Sequence, residues 1–233
     1  MAFDPVNIPG SSPAIPPGGS ATIPGELYKP SGTGPTGLVV IAYGTEGWKD
    51  PWTKMMQGYA EDLAGRGFFA LMPDYFVRTG TKHGGAAGAV IGEKQDDWTS
   101  ALVDSVAYGR TVPGVDGTRI GMLGFSLGGY LCLRARGAAK PKALVEYFAP
   151  LFEGLGAAGT VPIAQIHHGT NDFGPTAFKN ADTIAGILRH EHTDVAVFEY
   201  KDATHGFAGP TAADKKAAVE SKAETIKFFV TRL

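Results

Sequence analysis

The sequence predicts an α/β fold in which a mostly parallel sheet is covered by helices on both faces. Short apolar runs rich in Val, Ile, Leu and Phe alternate along the chain with stretches of helical periodicity. Strands buried on both faces have this near-continuous apolar character, and helices form the crossovers between parallel strands. A chain of 233 residues suits one hydrophobic core, so we expect a single domain over residues 1–233.

Six apolar runs are predicted to form strands, at residues 38–42, 68–73, 119–125, 143–148, 163–167 and 195–200. Helices are predicted between and after them, at about residues 52–65, 96–111, 127–138, 176–190 and 212–231. Residues 1–20 are rich in Pro, Gly and Ser and predict an extended N-terminal strap, followed at once by strand-like residues. The Gly-rich stretch 79–95 predicts a loop or small helix near the ligand site.

The balance of charge argues against several classes of partner. Lys and Arg total 21, Asp and Glu total 23, and neither sign forms a long run. Nucleic acids and anionic membranes require a concentrated basic face, so we expect a small, near-neutral ligand instead. The single cysteine, Cys132, cannot form an internal disulfide and is expected on a buried helix face. The N-terminus lacks the pattern of a signal peptide, so we expect a cytoplasmic protein, with a monomer as the default.

A serine stands between a predicted strand and a predicted helix in the segment GFSLGG, residues 124–129. This context fits the G-x-S-x-G motif, in which glycines give room for a strained turn that exposes the serine. Ser126 is therefore a candidate nucleophile, although a serine that only caps the helix is an alternative. The backbone N–H of Leu127 is the expected first donor to an oxyanion, and the loop amide of Thr45 is the expected second donor.

A serine nucleophile needs a base and an acid that orients the base. Asp172 follows a predicted strand in IAQIHHGTNDFGP, and His205 follows the next strand in VFEYKDATHGF, so both fit the chain order Ser, acid, His. Asp172 as a helix cap and His205 as a surface or core histidine are the alternatives. His167 and His168 occupy the wrong place in that order, and no metal-ligand spacing accompanies them, so we expect no metal.

Four segments together resemble the dienelactone hydrolase family of α/β-hydrolases: PDYFVR, GFSLGG, HHGTNDFGP and ATHGFA. The resemblance runs from about Leu38 to the C-terminus. It implies an α/β-hydrolase core without a large cap domain, hydrolysis of an ester or lactone through an acyl-enzyme, and no cofactor. Ser126, Asp172 and His205 fall on the positions of the family's catalytic triad.

The chain departs from the pattern of the best-known family members at several positions. Those members have a cysteine in place of Ser126 and a glutamate where this chain has Gly44. Glu46, two residues further on, either reaches the site or is an ordinary loop carboxylate. Arg78 matches an arginine that holds a substrate carboxylate, although a surface salt bridge is the alternative. The family's second arginine corresponds to Gly209 here.

Four aromatic residues are expected near the mouth of the site, where they line an acyl pocket or belong to the core or rim: Tyr43, Tyr75, Phe76 and Phe207. The leading hypothesis is a carboxylic ester hydrolase, either a carboxymethylenebutenolidase or a general carboxylesterase, that acts on a small ester or lactone. The alternatives are an acyltransferase with the same triad and a non-catalytic binder of a small ligand. No nucleic acid, membrane or cofactor is expected as a partner.

Overall fold

One eight-stranded sheet forms the centre of the computed structural model, which describes residues 3–11, 15–32, 34–152, 154–155, 159 and 161–233. The strands are β1 (Asp4–Pro9), β2 (Thr22–Tyr28), β3 (Thr36–Ala42), β4 (Phe69–Pro73), β5 (Val115–Phe125), β6 (Ala143–Tyr147), β7 (Ile163–Gly169) and β8 (Asp194–Tyr200). Their order in the sheet is β1-β2-β4-β3-β5-β6-β7-β8. Strands β3 to β8 are paired in parallel, and β2 is antiparallel to both of its neighbours.

Five α-helices accompany the sheet: α1 (Trp52–Gly65), α2 (Ile91–Gly109), α3 (Leu127–Ala139), α4 (Lys179–His190) and α5 (Ala212–Arg232). Two glycines of β5 show that helices cover both faces. A Cβ on Gly121 would meet Phe229 of α5 at 2.7 Å, and a Cβ on Gly124 would meet the backbone of α3 at Gly128. Residues three apart on a strand point to opposite faces. The predicted α/β architecture is confirmed.

The main differences from the predicted elements lie where polar residues or proline interrupt the apolar pattern. β1 forms within the predicted strap, with only Ile8 fully buried, because an edge strand tolerates the prolines of DPVNIP. α2 begins at residue 91 rather than 96, directly after a short 3₁₀ helix at residues 86–90. α4 begins at residue 179 rather than 176, because Gly174–Thr176 forms a 3₁₀ turn.

The sheet brings the predicted functional segments to one edge. The carboxyl ends of β3, β5, β7 and β8 precede the segments that contain Thr45, Ser126, Asp172 and His205 respectively. Open parallel sheets bind ligands at this edge. Cys132 lies fully buried in α3. In the described part of the chain, no helix has the length and apolar character needed to cross a membrane.

Candidate active site

Ser126 lies at the sharp turn between β5 and α3 and has an unusual backbone conformation. Its φ is +52° and its ψ is −118°, which is strained for a residue with a side chain. Two hydrogen bonds hold the turn: the N–H of Ser126 donates to the carbonyl of Tyr147 at 2.9 Å, and its carbonyl accepts from the N–H of Tyr130 at 3.1 Å. The strain is thus imposed by β6 on one side and by α3 on the other.

The glycines of the serine motif allow a very close approach of backbone segments. A Cβ on Gly124 would collide with the carbonyl oxygen of Gly128. A Cβ on Gly128 would collide with the carbonyl oxygen of Ala42 in β3. Neither position has room for a side chain of any size. The predicted steric reason for these glycines is therefore confirmed.

The structure brings Ser126, His205 and Asp172 together in one chain of hydrogen-bonding atoms. His205 Nε2 lies 3.2 Å from Ser126 Oγ, and His205 Nδ1 lies 2.7 Å from Asp172 Oδ2. A carboxylate only accepts hydrogen bonds, so the proton on His205 belongs at Nδ1, and the lone pair of Nε2 then faces the serine hydroxyl. This arrangement lets the imidazole remove the proton of Ser126 during nucleophilic attack.

Asp172 is buried, and four groups surround its two oxygens. Oδ1 accepts hydrogen bonds from the N–H of Phe173 at 2.8 Å and from Thr176 Oγ1 at 2.7 Å. Oδ2 faces His205 and also lies 3.4 Å from Nε2 of His168. Burial alone would raise the pKa of Asp172, but the hydrogen bonds from His168 and His205 outweigh it and hold the pKa well below the ordinary value. The carboxyl group is therefore ionised at neutral pH.

The loop that contains His205 is fixed to the start of α5. The N–H and hydroxyl of Thr204 donate to Asp214 Oδ1 at 2.7 and 2.8 Å. Thr211 Oγ1 accepts from the N–H of Asp214 and donates to Asp214 Oδ2. Thr211 is the N-cap of α5 and Asp214 is its third residue, which is the arrangement of a capping box. One helix terminus therefore determines where the candidate base lies.

The two residues predicted to form the oxyanion hole are both near Ser126. Leu127 is the first residue of α3, and the N–H groups of a first helical turn have no acceptor within the helix. Thr45 lines the same pocket as Ser126 and His205. Their donation to an oxyanion stays a prediction.

A pocket of about 290 Å³ opens beside Ser126 and His205. Its walls include Thr45, Glu46, Trp52, Met55, Met56, Phe125, Phe148 and Gly206. No lysine or arginine is among the described residues that line it. A larger open cleft of about 780 Å³ runs between α1 and α5 and shares Met55, Phe125, Phe148 and Gly206 with the pocket. The site therefore joins a small, mainly apolar pocket to a longer groove.

Two phenylalanines near His205 have special backbone conformations that the sequence does not predict. Phe148 has φ +41° and Phe207 has φ +51°, both in the left-handed region that bulky residues rarely adopt. Their rings contact each other at 5.3 Å between centroids, and the ring of Phe148 packs edge-on against His205 at 4.7 Å. Phe148 lines the pocket, and Phe207 lines the larger cleft. Residue type alone contains no signal for these conformations.

The expectation that Arg78 binds a substrate carboxylate is wrong. The side chain of Arg78 is fully buried, and its Nη2 forms an ion pair with Asp104 of α2 at 2.7 Å. The N-terminal strap covers it so closely that a Cβ on Gly10 would collide with the guanidinium. A guanidinium that is already paired and enclosed has no face left for a substrate. Arg78 joins the strap to α2 and does not line the pocket.

Tyr43 and Phe76 lie in the core rather than in the pocket wall, which is one of the alternatives stated for them, and the same holds for Tyr75. The hydroxyl of Tyr43 donates to Asp74 Oδ1 at 2.6 Å and accepts from the N–H of Phe76 at 2.8 Å. Both side chains are at most 1% exposed. Glu46 does line the pocket, and its carboxylate lies 3.5 Å from Nζ of the exposed Lys49.

The loop at residues 79–95 approaches the pocket through His83. Nδ1 of His83 accepts a hydrogen bond from the N–H of Trp48 at 3.0 Å, and Nε2 lies 3.1 Å from Asp74 Oδ2. His83 therefore links this loop to the segment after β3, which contains Thr45 and Glu46. The short 3₁₀ helix at residues 86–90 matches the predicted small helix.

His167 is a core residue. Its ring is stacked between Tyr147 and Phe198, and its Nδ1 lies 2.9 Å from the hydroxyl of Tyr200. Burial lowers its pKa to about 3, so the ring is neutral. Within the described ranges, no cluster of three or more His, Cys, Asp or Glu side chains could hold a metal ion.

Comparison with known proteins places the chain in a family. The sequence model of the dienelactone hydrolase family matches residues 23–233. Curated proteins give no significant match. Similar solved structures include a Klebsiella pneumoniae protein with a provisional assignment as a dienelactone hydrolase (15% identity, TM-score 0.74, all of both chains). They also include esterase Est2 of Thermogutta terrifontis with bound propionate (19% identity, TM-score 0.72, 97% of this chain and 94% of Est2).

A further similar structure is P91, a dienelactone hydrolase-like promiscuous phosphotriesterase from metagenomic libraries. It is 21% identical, with a TM-score of 0.73 over 100% of this chain and 99% of P91. At such identities the structural likeness shows the fold, whereas the family match rests on the sequence of nearly the whole chain. The chain belongs to the dienelactone hydrolase family.

Proposed function

We propose that the chain is a serine hydrolase that cleaves a small, uncharged carboxylic ester through an acyl-enzyme. Membership of the dienelactone hydrolase family supports a hydrolase of small esters. The observation that carries the finer proposal is the continuous link from Ser126 Oγ through the His205 ring to an ionised, buried Asp172. A merely structural serine has no need of a base at 3.2 Å that is itself oriented by a carboxylate.

The proposed reaction has two half-reactions. Ser126 Oγ attacks the carbonyl carbon while its proton moves to His205 Nε2, and the oxyanion is held by the N–H groups of Leu127 and Thr45. Collapse of this intermediate breaks the ester C–O bond, and Nε2 returns the proton to the departing alcohol. Water then attacks the acyl-enzyme by the same route, which releases the acid and restores the Ser126 hydroxyl.

The lining of the pocket supports a neutral substrate. The buried ion pair of Arg78 removes the expected carboxylate anchor, and the charged side chain in the pocket wall is the acidic Glu46. An anionic lactone would therefore meet no compensating cation among the described lining residues. A volume of about 290 Å³ suits a short acyl group, and the adjoining cleft offers space for the alcohol half of the ester.

The decisive test compares wild type with Ser126→Ala on p-nitrophenyl acetate and butyrate. We expect wild-type turnover and a loss of roughly 10⁴-fold or more in kcat for the variant. Ser31→Ala, at an exposed serine in the turn before β3 and outside the motif, is the matched control and should keep wild-type activity. Mass spectrometry of wild type quenched during turnover should detect one added acyl group. Equal activity of wild type and Ser126→Ala would refute the nucleophile.

The same assay separates the two alternatives. Added alcohol at fixed ester concentration yields a transesterified product if the chain is an acyltransferase, and free acid if it is a hydrolase. A complete absence of turnover across the ester series would favour a non-catalytic binder. Comparing cis- and trans-dienelactones with neutral esters of similar size tests the preference for uncharged substrates, which predicts lower kcat/KM for the dienelactones.

A further inference from the structure

A second carboxylate, Glu146, lies buried behind the candidate site and has no role in the reaction above. It belongs to β6 and is fully buried. Its Oε2 accepts a hydrogen bond from the N–H of Ala149 at 2.9 Å. Its Oε1 is also buried and has no hydrogen-bond partner among the described residues. A buried, ionised carboxylate oxygen without a hydrogen-bond donor raises the free energy of the folded state. Oε1 therefore needs either a proton of its own or a nearby donor.

His168, on the neighbouring strand β7, also has a buried polar atom without a hydrogen-bond partner. Its Nε2 lies 2.7 Å from the carbonyl oxygen of Thr176 and 3.4 Å from Asp172 Oδ2. Both of these groups only accept hydrogen bonds, so Nε2 is protonated. Its Nδ1 is buried and, like Oε1 of Glu146, finds no partner in the described part of the chain. The only site on His168 that remains to titrate is therefore Nδ1.

The sheet register places these two side chains on the same face. Glu146 is paired with Ile166, so His168, two residues beyond Ile166, is the diagonal neighbour of Glu146. Diagonal neighbours lie roughly 7–8 Å apart at Cα, within reach of long side chains. Each also acts on the charge of the other. Burial raises the pKa of Glu146 to about 7 despite the opposing effect of His168, while Glu146 and Asp172 raise the pKa of His168 against its burial.

The charge of the two groups limits how many protons they hold together. Nδ1 of His168 and Oε1 of Glu146 do not contact each other directly, so a bridging water has to connect them. With no proton on either atom the pair has a net negative charge, and with a proton on both atoms it has a net positive charge. One proton, either as Nδ1–H with a carboxylate or as a carboxylic acid with a neutral ring, leaves the buried pair without net charge.

We propose that Glu146 and His168 share one proton and that this pair positions the ionised Asp172 for the reaction at Ser126. The proposal rests on the proposed function, because Asp172 matters only if His205 acts as a base. His168 supplies a second N–H toward Oδ2, the same oxygen that orients His205. Glu146 sets the charge of His168 and so sets how strongly that N–H stabilises the carboxylate. Both are positioning residues, since neither touches the substrate.

Few other ionisable groups face the pair. From α3, the buried thiol of Cys132 faces Glu146, and burial raises the pKa of this thiol so that it stays neutral. From the N-cap of α4, the apolar ring of Phe178 packs against His168. From β8, Glu199 is opposite His168 in register, but it is exposed to solvent. The charge of the pair is therefore felt mainly by Asp172.

The shared proton can be tested directly by NMR of protein labelled with ¹⁵N-histidine. In wild type, we expect the Nδ1 resonance of His168 to lie between the bare and the protonated limits near pH 7, with Nε2 protonated throughout. In Glu146→Gln, which preserves side-chain size, Nδ1 should move to the bare limit. Identical Nδ1 resonances in both proteins would overturn the proposal. This readout does not depend on catalysis, so it remains decisive even if no ester is turned over.

The coupling to catalysis is tested by pH profiles of kcat/KM. Wild type should show two ionisations on the acid side of the profile, one of them from the pair. Glu146→Gln and His168→Gln should each show one ionisation and a loss of roughly tenfold, the equivalent of weakening one charge-assisted hydrogen bond. Glu199→Gln is the matched control and should keep both ionisations. Two ionisations in all four folded proteins would contradict the positioning role, whereas inactivity of wild type would contradict the proposed function instead.

Discussion

Three residues around the candidate site, Ser126, Phe148 and Phe207, share a positive φ. The strain at Ser126 can be predicted from the sequence, because the glycines of GFSLGG are the residues that a tight turn around this serine requires. The strain at the phenylalanines has no such signature, since it arises from the packing of β6 and of the His205 loop around one another. Strain of this kind persists only where neighbouring structure imposes it.

At Glu146, the raised pKa makes a prediction for stability. The contribution of protonated Glu146 to the free energy of unfolding is fully present below the ordinary pKa of 4.5. This contribution is lost as the pH rises through about 7, the pKa of Glu146 in the folded chain. A shift of this size corresponds to roughly 3 kcal/mol. The free energy of unfolding of wild type, relative to Glu146→Gln, should therefore fall by roughly that amount from pH 4.5 to above pH 7. Urea denaturation at a series of pH values measures it.

The exposed variant Glu199→Gln serves as the control for that experiment and should track wild type at every pH. A difference between wild type and Glu146→Gln that does not change with pH would mean that Glu146 has the same pKa in the folded and unfolded chain. The linkage argument would then be wrong.

Among the elements, the start of α5 has the clearest functional consequence. Asp214 accepts hydrogen bonds from Thr204 and Thr211 and so fixes the loop that holds His205. Asp214→Ala should lower the free energy of unfolding by about 1–3 kcal/mol, since buried donors lose their acceptor. It should also lower kcat more than it raises KM, because the base is displaced while the pocket is kept. Thermal denaturation and esterase kinetics measure the two effects.

Asp182, an exposed acidic residue in the first turn of α4, provides the comparison. Asp182→Ala should change stability only slightly and leave kcat unchanged. If Asp214→Ala lost stability but kept the wild-type kcat, the cap would stabilise α5 without positioning His205.

Sequence predicts the elements most accurately where a single periodicity dominates. The helix predicted at residues 52–65 is observed there, because its apolar side recurs at helical spacing from Met56 to Leu63. The start of α2 differs by five residues because IGEKQ contains glycine and polar residues and follows a 3₁₀ turn. β1 escapes prediction because alternating prolines and polar residues conceal an edge strand whose partner is known only from the fold.

At the scale of the whole molecule, Arg78 joins the N-terminal strap to the main body. Its ion pair with Asp104 is buried, and Ser11 of the strap also donates to Asp104. Arg78→Met should lower the free energy of unfolding by about 3–5 kcal/mol, because Asp104 is left as an uncompensated buried charge. Its effect on KM should be the same for neutral and anionic esters. Denaturation and kinetics on paired substrates test both statements.

The double variant Arg78→Met/Asp104→Leu separates charge from packing. Removing both charges should recover much of the lost stability, since a buried ion pair often contributes little compared with apolar groups of similar volume. A selective rise in KM for anionic esters in Arg78→Met would instead restore the carboxylate-anchor hypothesis.

Much of the candidate site follows from sequence because it lies on loops at strand ends, where chain order and spacing constrain position. Ser126, Asp172 and His205 meet as the motif order predicts, although their catalytic roles stay predictions. Glu146 and His168 cannot be selected from sequence, because their relationship depends on the register of β6 and β7. The predicted role of Arg78 is wrong because a motif match cannot show that the N-terminal strap will cover the side chain of this arginine.

Gly44 sits immediately against the nucleophile, and a Cβ there would lie 3.2 Å from the Cβ of Ser126. The family resemblance implies a carboxylate beside a thiol nucleophile at the position of Gly44, whereas this chain has a glycine beside a serine. The absence of a side chain at Gly44 leaves free space beside Ser126. If Ser126 is the nucleophile as proposed, we expect this space to admit acyl groups that are branched next to the carbonyl.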